Sequence, residues 1–96
     1  MAYLHVKATV EDYDAWKSSF DGYQTLRAEH GGKGHQVFQS ADNPNEIVVV
    51  IEFDSVEKAR EWTDYLKRQG ELTGPNMPDA ELSYLELVEQ KQLSAV

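Results

Sequence analysis

Residues 46 to 53 read Glu-Ile-Val-Val-Val-Ile-Glu-Phe, an unbroken run of β-branched apolar side chains between two carboxylates. Such a run has the composition of a strand. Because successive side chains alternate across a strand, it is apolar on both faces. A strand of this kind belongs inside a sheet that is covered on both sides. A chain of 96 residues can build a single hydrophobic core, so one of the two covers is expected to come from a second copy.

The rest of the chain supplies the other elements. Residues 3 to 10 alternate, with Leu4, Val6, Ala8 and Val10 on one side and His5, Lys7 and Thr9 on the other, which predicts a half-buried strand. Glu11 and Asp12 suit a helix start. Tyr13, Trp16, Phe20 and Tyr23, extended by Leu26, form an apolar stripe that predicts one helix over 12–29. The run His30-Gly-Gly-Lys-Gly34 stops that helix, because glycine takes the left-handed position after a last turn at little cost. Phosphate-binding loops follow a strand and open a helix; here the glycines follow a helix and open a strand, so they read as a terminator. His35 to Ser40 is a second strand, and 41–45 a turn. Asp54-Ser-Val-Glu57 has the pattern of a capping box. It opens a second helix whose buried stripe is Val56, Ala59, Thr63 and Leu66, flanked by Trp62 and Tyr65. Residues 73–79, with two prolines and a glycine, are expected to be irregular, and Ala80 to Glu89 reads as a last strand. A single domain over 1–90 is followed by a short tail, 91–96.

The order β-α-β-β-α-β is the split βαβ pattern. It predicts a ferredoxin-like α+β fold with an antiparallel sheet, in which right-handed crossovers place the first and third strands at the centre and both helices on one face. Ile47, Val49, Ile51 and Phe53 then pack under the helices, while Val48 and Val50 share the open face with His5 and Lys7. An apolar open face marks a contact surface. The expected partner is a second copy packed sheet to sheet, giving a dimeric α/β barrel.

Composition narrows the function. Seventeen acidic against nine basic residues give a formal charge of −8, a field that repels nucleic acid and anionic membrane surfaces. No apolar run approaches the ~18 residues of a membrane span, the start lacks the features of a secretory signal, and there is no cysteine; a cytoplasmic protein is expected. His5, His30 and His35 show no metal-ligand spacing, so no metal is expected. Neither a pair of catalytic carboxylates nor a Gly-x-Ser-x-Gly elbow is present. His30 ends the first helix, where an imidazolium meets free carbonyls. His5 and His35 are the candidate proton-transfer groups. Tyr13, Trp16, Phe20, Trp62 and Tyr65 converge over one sheet face, where they either enclose a planar apolar ligand or fill the core.

The segments Val10-Glu-Asp-Tyr-Asp-Ala-Trp-Lys17 with Phe20, Gln36-Val-Phe38, Asp42-Asn-Pro-Asn-Glu46 running on to Phe53, and Tyr84-Leu85-Glu86 resemble small proteins of the dimeric α/β barrel superfamily. The likeness is greatest to its antibiotic-biosynthesis-monooxygenase-like and "cyclase"-labelled members, and covers nearly all of residues 3 to 89. This resemblance implies a homodimer that uses no cofactor. For activity it implies a cofactor-independent monooxygenase acting on a planar aromatic or polyketide-like substrate, with Trp62 as a pocket-lining group; Tyr13, Trp16, Phe20 and Tyr65, read from the aromatic stripes, are the other candidate substrate-binding residues. An isomerase or cyclase, or a non-catalytic ligand-binding or interaction module, is compatible with the same fold. Haem-degrading relatives carry an Asn on the first strand and a His after the tryptophan-bearing helix, whereas this chain has no Asn before Asn43 and no His after His35. Cofactor-free oxygenase relatives carry an Asn one turn before the tryptophan, where this chain has Lys58 before Trp62.

Overall fold

A computed structural model describes residues 1–71 and 80–95; the irregular segment expected at 73–79 lies outside them. Four strands, β1 (Ala2–Thr9), β2 (Gly34–Gln39), β3 (Glu46–Phe53) and β4 (Glu81–Glu86), form one sheet of order β2-β3-β1-β4. All neighbours are antiparallel, as a ferredoxin-like fold requires. The apolar strand β3 and the alternating strand β1 lie at the centre. Their register sets Leu4 opposite Ile51, Val6 opposite Val49 and Ala8 opposite Ile47, all of them buried. The opposite face presents His5 beside Val50 and Lys7 beside Val48. On that face Tyr3 donates to Glu52 Oε1 at 3.0 Å. The strand β4 ends where its partner does: Ala2 pairs with Glu86, Leu87 N–H reaches Met1 O at 3.1 Å, and residues 87–95 have no regular structure.

Among the described residues the helical layer has three helices rather than the expected two. Asp12 caps α1 (Tyr13–Gly22), its carboxylate accepting from the amides of Asp14 and Ala15. The helix stops at Tyr23, whose amide turns back to Phe20 O at 3.2 Å, and α2 (Gln24–Glu29) follows with Arg27 N–H on Tyr23 O at 2.8 Å. Asp21 and Gly22 are weak helix formers, and the tighter turn falls directly after them. At the end of α2, Gly31 has φ +98°, its amide donates to Ala28 O, and Gly32 N–H donates to Arg27 O at 2.8 Å. These two bonds make a Schellman stop, so the glycines terminate the helix.

The third helix, α3 (Val56–Arg68), is capped by Ser55, whose Oγ accepts Lys58 N–H at 3.2 Å. The expected capping box over Asp54 and Glu57 does not form. Asp54 turns instead to Lys33 Nζ at 3.1 Å, and with the cap at Ser55 the third helical position is Lys58, which cannot return a carboxylate. Trp62 is 1 % exposed and occupies the centre of the buried stripe rather than its flank. Ala59 and Thr63 are buried with it in the same stripe, while Tyr65 is only partly buried.

Phe53 is fully buried under the helices. Phe53→Ala is expected to cost about 3–5 kcal/mol, measured by urea unfolding, and a loss below about 1 kcal/mol would contradict this core assignment.

Candidate functional site

Between the helices and the sheet lies a cavity of about 70 Å³. Its floor is Leu4, Val6, Val49 and Ile51. Its walls are Trp16, Ser19, Phe20 and Tyr23 of α1 and its end, Arg27 of α2, and Trp62, Thr63 and Leu66 of α3, with Glu71 at the rim. Two ring stacks bound it. On one side Trp16 lies on Phe20 with centroids 5.1 Å apart, and Tyr13 is tilted against Trp16 at 5.8 Å. On the other, Trp62 stacks on Tyr65 at 5.7 Å and His30 packs against both. Tyr23 joins the two sides by meeting Trp62 edge-on at 6.3 Å.

Of the residues singled out from sequence, Trp16, Phe20 and Trp62 line this cavity. Tyr13 and Tyr65 lie behind their partner rings and do not. The two candidate histidines are not brought together. His35 pairs with Ile51 on the helix side of the sheet, and His5 pairs with Val50 on the other. His35 lies on β2 with its ring edge-on to Phe20 at 4.9 Å. It lines a second, more open cavity of about 240 Å³ together with Gln24, Arg27, Gly32, Lys33 and Ile51. Arg27 and Ile51 are common to both cavities.

Arg27 is the residue that sequence reading missed. It is 4 % exposed, its guanidinium lies over the Phe20 ring at 3.9 Å, and Nη1 donates to Phe20 O at 3.0 Å. Nη2 is buried with no acceptor among the described residues. Spacing carried the signal. The stripe 13, 16, 20, 23 advances by alternate threes and fours, and its next member is 27, not 26. Thr63 was assigned to packing, yet its hydroxyl reaches Tyr84 OH at 2.6 Å and Arg60 O at 3.0 Å.

The electrostatics follow from burial and neighbours. Burial lowers the Arg27 pKa, partly offset by Asp21; a guanidinium stays charged regardless. The Tyr23 phenol is raised by burial and by its hydrogen bond to Glu71 Oε1 at 2.9 Å, so it stays protonated and donates. His35 is lowered, first by burial and then by the charges of Arg27 and Lys17, and is neutral at pH 7. Among the described residues no three His, Asp or Glu side chains are grouped to hold a metal, and no helix is long and apolar enough to cross a membrane.

A folded pKa below the ordinary 6.5 means that the unfolded chain binds the proton more readily. Stability contributed by neutral His35 is therefore present above pH 6.5 and is lost as pH falls through 6.5 towards the folded value. In an NMR titration the His35 midpoint is expected below 6.5, and Lys17→Met is expected to raise it. A midpoint at or above 6.5 would contradict the described surroundings.

Residues 1–65, from β1 into α3, match the family model described as antibiotic biosynthesis monooxygenase. No curated protein matches the sequence. Among solved structures the chain is similar to SnoaB, a cofactor-independent oxygenase from Streptomyces nogalater, with TM-score 0.75 and 15 % identity over 93 % of this chain and 94 % of that one. It is also similar to a Nitrosomonas europaea protein assigned to the antibiotic biosynthesis monooxygenases, with TM-score 0.69 and 19 % identity over 93 % and 100 % of the two chains. A dimeric ferredoxin-like protein from an uncultured marine organism gives TM-score 0.64 and 9 % identity over 97 % and 100 %. At these identities the structural likeness is one of fold. With the family model extending over four of the six elements expected from sequence and into a fifth, the chain belongs to the antibiotic biosynthesis monooxygenase family.

Proposed function

We propose that this chain is a cytoplasmic homodimer that takes a planar aromatic molecule between its helices and sheet and oxidises it as a cofactor-independent monooxygenase. The observation that carries the reading is the apolar cavity ringed by Trp16, Phe20, Tyr23 and Trp62, since flat aromatic walls with few polar groups suit a flat apolar ligand. The name of SnoaB supports the chemistry. In such a reaction a base removes a proton from a phenol or an acidic ring CH₂, and the resulting anion reduces dioxygen. One oxygen atom stays as a ring carbonyl, and the other leaves as water, taking the two hydrogens of the CH₂ carbon or, from a phenol, the hydroxyl hydrogen and the single hydrogen of the ring carbon that is oxidised. Neutral His35 is the proton acceptor best placed for this, on the helix side of the sheet and next to Phe20. His5 faces away from the cavity and is assigned to the sheet-to-sheet contact. Tyr13 and Tyr65 hold the lining rings from behind.

Size limits the ligand. The cavity is about 70 Å³, about half of the roughly 150 Å³ in which an engineered apolar cavity takes benzene. A ring enters only as the walls yield. The same small volume favours a second reading, a non-catalytic ligand-binding or interaction module whose rings are core. Oxygen uptake with hydroquinones and dihydroxynaphthalenes, alongside thermal shift, separates the two. The monooxygenase reading expects uptake and a raised Tm, both diminished in Trp62→Phe. A ligand at a hundred times its Kd adds about 2.7 kcal/mol. No uptake and no shift with any of these probes would leave the module reading.

The homodimer is supported by the open sheet face, where Phe38 and Leu85 are 49 % and 46 % exposed and share the surface with Val48 and Val50. Sedimentation is expected to give twice the 10.9 kDa chain mass, and Val50→Asp to give the monomer. A wild-type monomer at micromolar concentration would overturn this assembly.

A further inference from the structure

We infer that Arg27 is the anion-binding group of the aromatic cavity, and that the ligand carries an anionic oxygen on its ring, as a carboxylate or an ionised phenol. This inference rests on the reading of the cavity as a ligand site and names the class of ligand it takes.

The guanidinium offers five donors in a planar fork that matches a carboxylate or an oxyanion. One nitrogen is used on Phe20 O at 3.0 Å, and Nη2, enclosed by the fold, has no acceptor among the described residues. A buried cation without a counterion is costly to keep, and an enclosed donor left unmade costs more than a made bond returns. Among the described residues no carboxylate forms an ion pair with it. Asp21, whose charge reaches Arg27, is held by Lys17 Nζ at 2.7 and 2.8 Å. Glu71, at the rim of the same cavity, accepts Tyr23 OH.

The position fits an incoming anion. Arg27 separates the aromatic cavity from the outer one that His35 and Lys33 line. A ring seated among Trp16, Phe20 and Trp62 presents an oxygen substituent to the guanidinium from the inner side. The guanidinium plane is already fixed by its contact with the Phe20 ring, so little side-chain freedom is lost on binding. Charge-assisted bonds of this kind discriminate an anion from its neutral isostere by about tenfold or more.

Benzoate, 4-nitrophenolate, and neutral benzamide and anisole are titrated into the wild-type chain, with the Arg27 side-chain NMR resonances and Tm as readouts, and again into Arg27→Met. Benzoate or 4-nitrophenolate, or both, are expected to bind about tenfold or more tighter than benzamide and anisole. The arm that binds tells carboxylate from phenolate, and the Arg27 resonances shift with the anion only. In Arg27→Met the preference disappears while neutral probes still bind, and Tm holds or rises because an unpaired buried charge is gone. Equal binding of anionic and neutral probes, or a preference that survives in Arg27→Met, overturns the inference and leaves the aromatic site standing. Absence of binding by every probe overturns the aromatic site and the inference with it. If Arg27→Met does not fold, the wild-type resonances decide: no shift with either anion overturns the assignment.

Discussion

The pairing register of β1 with β3 is the constraint on which everything above the sheet depends. Leu4, Val6 and Ala8 lie opposite Ile51, Val49 and Ile47, and these side chains are at once the centre of the core and, in four cases, the floor of the aromatic cavity. Side chains change face with every residue along a strand, so a slip of one position would exchange this floor for His5, Lys7 and Glu52. The helices would then lose the half of their apolar floor that β1 supplies. Strand β3 meets the requirement from either side because it is apolar on both. That property also leaves Val48 and Val50 on the far face, in search of cover.

On the helix side the bulk is supplied by planar groups, and planar groups do not tile a wedge. Trp16 and Phe20 stack from α1, Trp62 and Tyr65 from α3, and Tyr23 bridges them edge-on. Each stack is well packed within itself, and the space between the two remains. Interiors normally reach crystal-like density through branched aliphatic side chains that interdigitate. Here the sheet side of the cavity is aliphatic and most of its helix side is made of rings, which places the unfilled volume at the boundary between the layers. Arg27 lies at that boundary with part of its hydrogen-bonding capacity unused.

Strands and faces were legible from the residues because alternation is a strong and local signal. Leu4 to Val10 and Ile47 to Phe53 needed no tertiary information to be assigned a side. The split of the first helix was not legible, because Tyr13 to Leu26 keeps its apolar spacing across the break, and the stop is a hydrogen-bond choice at Tyr23. The cap of α3 went to Ser55 because Asp54 had a lysine to meet on another element, which no local pattern records. His5 and His35 were separate candidates for proton transfer, and the strand registers set them beside Val50 and Ile51, adjacent residues that point opposite ways. Arg27 was passed over because a charged side chain on an apolar stripe reads as an interruption, and Leu26 offered itself one position earlier. The resemblance to the monooxygenase family carried the fold well.

The stop at the end of α2 has a consequence for how this chain can diverge. A side chain at residue 32 would place its first carbon 2.9 Å from Arg27 O and 3.0 Å from Arg27 Cγ, and the first of these is backbone, which cannot swing aside. Gly32 therefore sets the position of Arg27 without taking part in any chemistry. Because the closest clash is with a carbonyl that any residue at 27 would carry, Gly32 is expected to persist among relatives whatever side chain precedes it. The dependence runs one way: a guanidinium at 27 keeps its place only where residue 32 stays glycine, while the glycine can outlast the guanidinium.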